Sequence, residues 1–215
     1  MAEHTSEMES YWSDLLSDVS PASGLDISDV PSYEPQRDIF AERQRKGWDS
    51  SVEARCDFER KVRMTRRSGV FFISLWQKSL YGRTLTDIKG DDKMVGYFAD
   101  NVSKLIVEVL GGWLADGGWA LVTTPKRRHK ERNFATLISL RMSSLLGLPF
   151  YEDVALCHSR QRVNAEFTLQ VLPAERNLIV FDDFVTTGQT LLGMQKLLAP
   201  LGKNLVFFTG INNHL

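Results

Sequence analysis

The segment Asn177–Thr190 constrains this chain more than any other. Leu178-Ile179-Val180-Phe181 is a short, wholly apolar run, which suits a strand buried on both faces. Two carboxylates, Asp182 and Asp183, follow at once. Then come the small hydroxyl residues Thr186 and Thr187, a glycine at 188, and helical spacing from Gly188 to Leu198. Strand, turn and helix in immediate succession form a unit that needs a parallel neighbour to pair with.

The rest of the second half repeats this grammar. Trp119–Thr123 reads as a strand, Phe134 to Leu146 as a helix stopped by Gly147-Leu148-Pro149, and residues 150–156 as a second strand. Leu205–Thr209 reads as the last strand. The expected fold class is α/β, a parallel sheet flanked by helices, with a mostly helical N-terminal appendage. Further upstream, Val70–Trp76 is a buried strand or short core helix. Asp91 to Leu110 spaces Met94, Phe98, Val102, Leu105, Ile106 and Val109 by threes and fours, the pattern of a helix with one buried stripe. Residues 36–67 are dense in both charges, and such a run reads as a solvated helix laced by i,i+4 pairs, or else as an anion-binding arm. Three segments result: an acidic, loosely ordered lead over 1–35, a helical appendage or hood over 36–118, and an α/β core over 119–215 that could begin near 85.

Composition sharpens this division. The chain has 215 residues and a net charge of −1. Residues 1–40 hold nine acidic side chains against one basic residue, Arg37. Of the 27 acidic and 26 basic residues in all, 18 and 25 therefore fall in 41–215, a surplus of seven positive charges. The balanced total argues against a dedicated nucleic-acid binder. Cys56 and Cys157 stand alone, with no Cys-x-x-Cys pair, which excludes a zinc ribbon on ligand count. The opening Met1-Ala2-Glu3-His4 has no signal-peptide character, and no apolar run is long enough to cross a bilayer. A cytoplasmic location is expected.

In an open parallel sheet, ligands bind beyond the carboxyl ends of the strands. There the Asp182–Thr190 turn offers backbone N–H groups, hydroxyls and a helix dipole to one anion, with Gly188 permitting close approach. Asp182 and Asp183 beside that cup suit sugar hydroxyls, or a Mg²⁺ whose shell is shared with the ligand. The combination calls for a sugar phosphate. A plain strand–turn–helix capped by threonine would account for the threonines and the glycine, but not for the paired carboxylates.

Those residues resemble the phosphoribosyl-pyrophosphate (PRPP) motif of the type I phosphoribosyltransferases: four apolar residues, two acids, two further residues, then Thr-Thr-Gly-x-Thr. Phe184 stands where a smaller aliphatic residue is usual. More weakly, Thr124–Ala135, with Arg132-Asn133-Phe134, is similar to the loop after the first core strand of the ComF-like, competence-associated branch, though without its glycine. Arg160–Phe167 resembles that branch's Arg-Asn-x-x-x-Ala-Phe segment. The zinc ribbon common in the branch is not encoded here.

The resemblance implies roles. Asp182 and Asp183 would bind the ribose 2- and 3-hydroxyls and serve as the catalytic pair. Thr186, Thr187, Gly188, Gln189 and Thr190 would hold the 5-phosphate. Thr124, Pro125, Lys126, Arg127 and Arg128 would receive pyrophosphate. A flexible loop carrying Arg160 and Arg162 would close over the site. Mg²⁺ would be the cofactor, held mainly through the ligand. The implied activity is transfer of the phosphoribosyl group of PRPP to a nucleobase or amine, with release of pyrophosphate. Acceptor choice would fall to a hood built from residues before 119, which show no base-recognition signature. The competing readings are a PRPP- or nucleotide-binding regulator and a DNA-uptake accessory protein that keeps the fold. Homodimers are common in the family; no membrane partner is implied.

Overall fold

The computed structural model describes residues 54–126, 133–157 and 166–214. Its centre is a six-stranded mixed sheet built from β2 (Arg63–Arg67), β3 (Val70–Gln77), β5 (Trp119–Thr123), β6 (Phe150–Tyr151), β9 (Asn177–Val185) and β10 (Asn204–Asn212). The spatial order is β2-β3-β10-β9-β5-β6. All neighbours run parallel except β2, which pairs antiparallel with β3 across the Ser68-Gly69 turn. Two short strands, β1 (Arg55–Cys56) and β4 (Arg83–Thr84), pair antiparallel apart from the main sheet. So do β7 (Ala155–Cys157) and β8 (Phe167–Leu169).

Helices cover both faces, as a parallel sheet buried on both sides requires. On one face lie α2 (Asp92–Leu110) and α4 (Phe134–Leu146), preceded by the short α1 (Leu85–Gly90) and separated by α3 (Gly112–Ala115). Phe98, Val102 and Ile106 of α2 and Ile138 and Met142 of α4 pack with Ile179, Phe181 and Phe208 of the sheet, all buried. On the other face α5 (Gln189–Leu198) packs Leu191, Met194 and Leu198 onto Leu178, Val180, Ala120 and Val122. The alternation along β9 thus serves two cores, and each buried aliphatic or aromatic side chain in them stabilises by ~1.5–3 kcal/mol. Among the described residues, no helix is long and apolar enough to cross a membrane.

Local signals explain the boundaries. Asp91 caps α2, its carboxylate accepting from Lys93 N at 3.0 Å. Asn133 caps α4 by accepting from Thr136 N at 3.1 Å, and Gly147 ends that helix at φ 66°. Asn133, part of the Arg-Asn-Phe stretch noted above, therefore has a structural role of its own.

Two expectations need correction. The charge-dense run over 36–67 is not helical in its described part: Arg63–Arg67 is strand β2, an edge strand whose Arg63 and Arg66 side chains remain in water while Arg67 is half-buried. With Val70–Gln77 also in the sheet, the sheet takes in residues assigned to a mostly helical appendage. The strand expected over 150–156 is two strands: β6 joins the main sheet, the chain turns at Glu152 and Asp153 (φ 55° at Asp153), and β7 belongs to the hairpin. The lead over 1–35 lies outside the described residues, as does the rest of the chain before residue 54.

Candidate functional site

The order of strands fixes where a ligand can sit. From β5 the chain crosses by α4 to β6 on one side; from β9 it crosses by α5 to β10 on the other. The two crossings use opposite faces of the sheet. The direction of progress therefore reverses between β5 and β9, and in an open sheet of this kind a ligand crevice is expected at the carboxyl ends of the strands flanking such a reversal. Thr124, just past β5, reaches across to β9: its backbone N–H donates to the Phe181 carbonyl at 3.2 Å, and its hydroxyl donates to Asp182 Oδ1 at 3.0 Å.

Asp182 and Asp183 go to different partners. Asp183, 8% exposed, accepts from the backbone N–H of Phe184 at 2.9 Å through Oδ1. Its Oδ2 lies 2.8 Å from Lys89 Nζ, and that ammonium also sits 4.6 Å from the centre of the Phe184 ring. Phe184 stacks on Phe134, with ring centres 6.4 Å apart, so its aromatic bulk fills a place between α4 and the strand end. Gly210 of β10 passes close by: a Cβ there would stand 2.9 Å from the Asp183 carbonyl oxygen and 2.7 Å from the Phe98 ring.

Beyond β9 the turn runs through exposed Thr186 and Thr187 to buried Gly188 at φ 78°, where α5 begins. The left-handed conformation demands glycine, and so does the space: a Cβ would lie 3.0 Å from Arg67 Cβ. Asn213 Nδ2 donates to Thr186 Oγ1 at 3.2 Å, which leaves that hydroxyl's own proton to point elsewhere. Gln189 N donates to Thr187 Oγ1 at 3.5 Å, and its side-chain amide donates to Ser68 Oγ at 2.9 Å. Gln189 and Thr190, both half-buried, form the first turn of α5.

The loop after β5 is described as far as Lys126. Its ammonium pairs with Glu152 and, at 3.3 Å, with Asp153 in the β6–β7 turn. Partial burial alone would lower the lysine pKa; the hydrogen bond to Glu152 and the two carboxylates outweigh it and raise it. Thr124 is buried and Pro125 beside it is buried as well. Arg127, Arg128, Arg160 and Arg162 lie outside the described residues.

The structure thus brings together Thr124, Asp182, Asp183 and the Thr186–Thr190 turn at one end of the sheet. Sequence reading passed over Lys89, Ser68 and Asn213, and took in Arg67 only as one member of the charge-dense run over 36–67. None carries a local signature; Lys89 reaches Asp183 from 94 residues away in sequence, through the fold alone. As donors for a divalent cation the site offers the two aspartates. Among the described residues no group of three or more His, Cys, Asp or Glu side chains is positioned to hold a metal.

No family model and no curated protein matches the chain. Solved structures do. A crystal structure of an adenine phosphoribosyltransferase aligns over 71% of this chain and 85% of its own, at 15% identity and a TM-score of 0.45. The orotate phosphoribosyltransferase of Aeropyrum pernix aligns over 76% and 78%, at 15% identity and a TM-score of 0.42. The adenine phosphoribosyltransferase of Saccharomyces cerevisiae aligns over 76% and 88%, at 14% identity and 0.43.

Proposed function

We propose that this protein binds PRPP with Mg²⁺ at the carboxyl ends of β5 and β9 and transfers its phosphoribosyl group to a nucleobase or amine, releasing pyrophosphate. One observation carries the reading: an acid pair and a hydroxyl-rich turn opening a helix share the end of the sheet where the strand order reverses. In this reading Asp182 and Asp183 accept from the ribose hydroxyls, and Thr186 to Thr190 surround the 5-phosphate. Thr124 and Pro125, with the basic residues after them, face the leaving pyrophosphate. Mg²⁺ would supply charge neutralisation to the departing pyrophosphate, held mainly by the ligand with Asp182 and Asp183 as the chain's nearest donors. Charge stabilisation of the leaving group is the main demand, because cleavage at the anomeric carbon is dissociative. Assignment to the ComF-like branch rests on the segments around Asn133 and Arg160 and is part of this proposal.

A second reading, a regulator that binds PRPP without turning it over, draws on Lys126. Its ammonium is already matched by Glu152 and Asp153, so it brings less free charge to pyrophosphate than its position after β5 implies.

The deciding experiment incubates the protein with PRPP, Mg²⁺ and a panel of bases and amines, following pyrophosphate, while calorimetry follows PRPP binding. Pyrophosphate release with one acceptor supports the transferase. Binding without release supports the regulator. A flat titration with PRPP and Mg²⁺ overturns both.

A further inference from the structure

The turn joining β2 to β3 is tied to the Thr186–Gly188 turn by four contacts. Arg67 Nη1 donates to the Thr186 carbonyl. Ser68 Oγ donates to the Thr187 carbonyl at 2.8 Å, and Gln189 Nε2 holds that serine from the far side at 2.9 Å. Gly188 lies flat against Arg67, where an added Cβ would be 3.2 Å from the Arg67 carbonyl oxygen.

These contacts have a directional consequence. In a trans peptide the carbonyl and the following N–H point in opposite directions, and the described residues contain no cis bond. Fixing the Thr186 and Thr187 carbonyls toward Arg67 and Ser68 aims the N–H groups of Thr187 and Gly188 away from that turn. Neither N–H has an acceptor among the described residues. Successive N–H groups pointing to one side form an anion-binding concavity. Asn213, 7% exposed, adds an oriented Thr186 hydroxyl.

Charge points the same way. From Phe181 to Leu191 the chain has two aspartates and no lysine or arginine. A phosphate monoester carries roughly −1.5 to −2 at neutral pH and would be repelled by that stretch. Arg67 forms no ion pair among the described residues, and one hydrogen bond leaves most of its five N–H donors unused.

We propose that Arg67 and Ser68 are positioning residues of the phosphate cup: they orient its N–H groups from behind, and the Arg67 charge offsets the two aspartates through the backbone rather than by contact with the phosphate. This rests on the PRPP reading, with the 5-phosphate as the group recognised. The test is calorimetric titration of the full chain with ribose 5-phosphate, and separately with pyrophosphate and Mg²⁺. The proteins compared are the wild type, Arg67→Gln, Arg67→Lys and Ser68→Ala. Ribose 5-phosphate binding should weaken about 10-fold in Arg67→Gln and in Ser68→Ala. Arg67→Lys should recover part of the loss, pyrophosphate affinity should stay at the wild-type value, and ligand-free melting should fall only by the small amount that one or two lost hydrogen bonds imply. Wild-type affinity for ribose 5-phosphate in both Arg67→Gln and Ser68→Ala would overturn this proposal and leave the PRPP reading standing. Equal loss of both ligands, with lowered melting, would also overturn it, by assigning the turn to folding. A wild type that binds neither ribose 5-phosphate nor PRPP would overturn the PRPP reading itself.

Discussion

Lys89 places its ammonium 2.8 Å from Asp183 Oδ2, joining the end of α1 to the end of β9. The aspartate side chain is 12% exposed and the lysine side chain 41%, so the carboxylate depends on this partner more than the ammonium does. Removing the lysine would leave a buried charge uncompensated, which costs more than the pair itself contributes. Lys89→Met should therefore lower stability by about 1–2 kcal/mol in urea denaturation. The double variant Lys89→Met with Asp183→Asn should lose less than the single one. Equal losses would show that the pair is an accident of the surface.

Gly210 lets β10 run tight against Asp183. Gly210→Ala must push the Asp183 carbonyl or the Phe98 ring outward, and overpacking of this kind costs about 1–3 kcal/mol. The melting temperature should fall and PRPP binding should weaken with it. A fully stable Gly210→Ala protein would mean that the strand pair is looser than described.

Gly188 tests the turn independently of charge. An alanine there must hold φ 78° and meet Arg67, a left-handed conformation that costs about 1–2 kcal/mol in a residue with a Cβ. Gly188→Ala should reduce ribose 5-phosphate affinity by more than it reduces stability. The comparison is calorimetry against denaturant midpoints.

Gly193 in α5 lies under Phe167 of β8, and a Cβ there would be 2.3 Å from a ring carbon. Gly193→Ala should lift the β7–β8 hairpin from the helix while leaving the main sheet intact. Hydrogen exchange over Ala155–Cys157 and Phe167–Leu169 should quicken, with β9 and β10 unchanged.

Cys56 is wholly buried, and burial pushes its thiol from 9.0 up to about 11. The folded state thus favours the neutral thiol more than the unfolded state does. Its contribution is complete below about pH 9 and disappears as pH rises through 11. The alkaline loss should reach about 3 kcal/mol and be absent from Cys56→Val. At pH 8 a thiol reagent should modify half-buried Cys157 well before Cys56.

Much of this architecture is legible from the residues. Phe134–Leu146 and Trp119–Thr123 carry unbroken apolar patterns closed by a glycine or a polar loop, and both occur with those bounds. Asp182 and Asp183 with the Thr-Thr-Gly turn stand at the carboxyl end of an apolar strand, as their order in the chain implies. Arg63–Arg67 deceived because charge density describes what faces water, and an edge strand meets that condition as well as a helix. The divided strand after Gly147 went unseen because Glu152 and Asp153 are weak turn signals without a glycine or proline. The contacts of Lys89, Arg67 and Ser68 are invisible for a different reason: their partners lie 94 and 119 residues away. No local pattern encodes such a meeting.

The order of strands also has a bearing on how the chain is made. β10 lies between β3 and β9, and Asn212 at its end donates to Gln77 from 135 residues away. Until residue 212 has been synthesised, β3 and β9 have no strand to join them, and each presents an apolar, unpaired edge. Folding of the sheet must therefore await the last strand described, and contacts of such long range are slow to form. The nascent chain would pass most of its synthesis with the β3 edge open and the last stretch with the β9 edge open as well, the interval in which a chaperone would have most to cover.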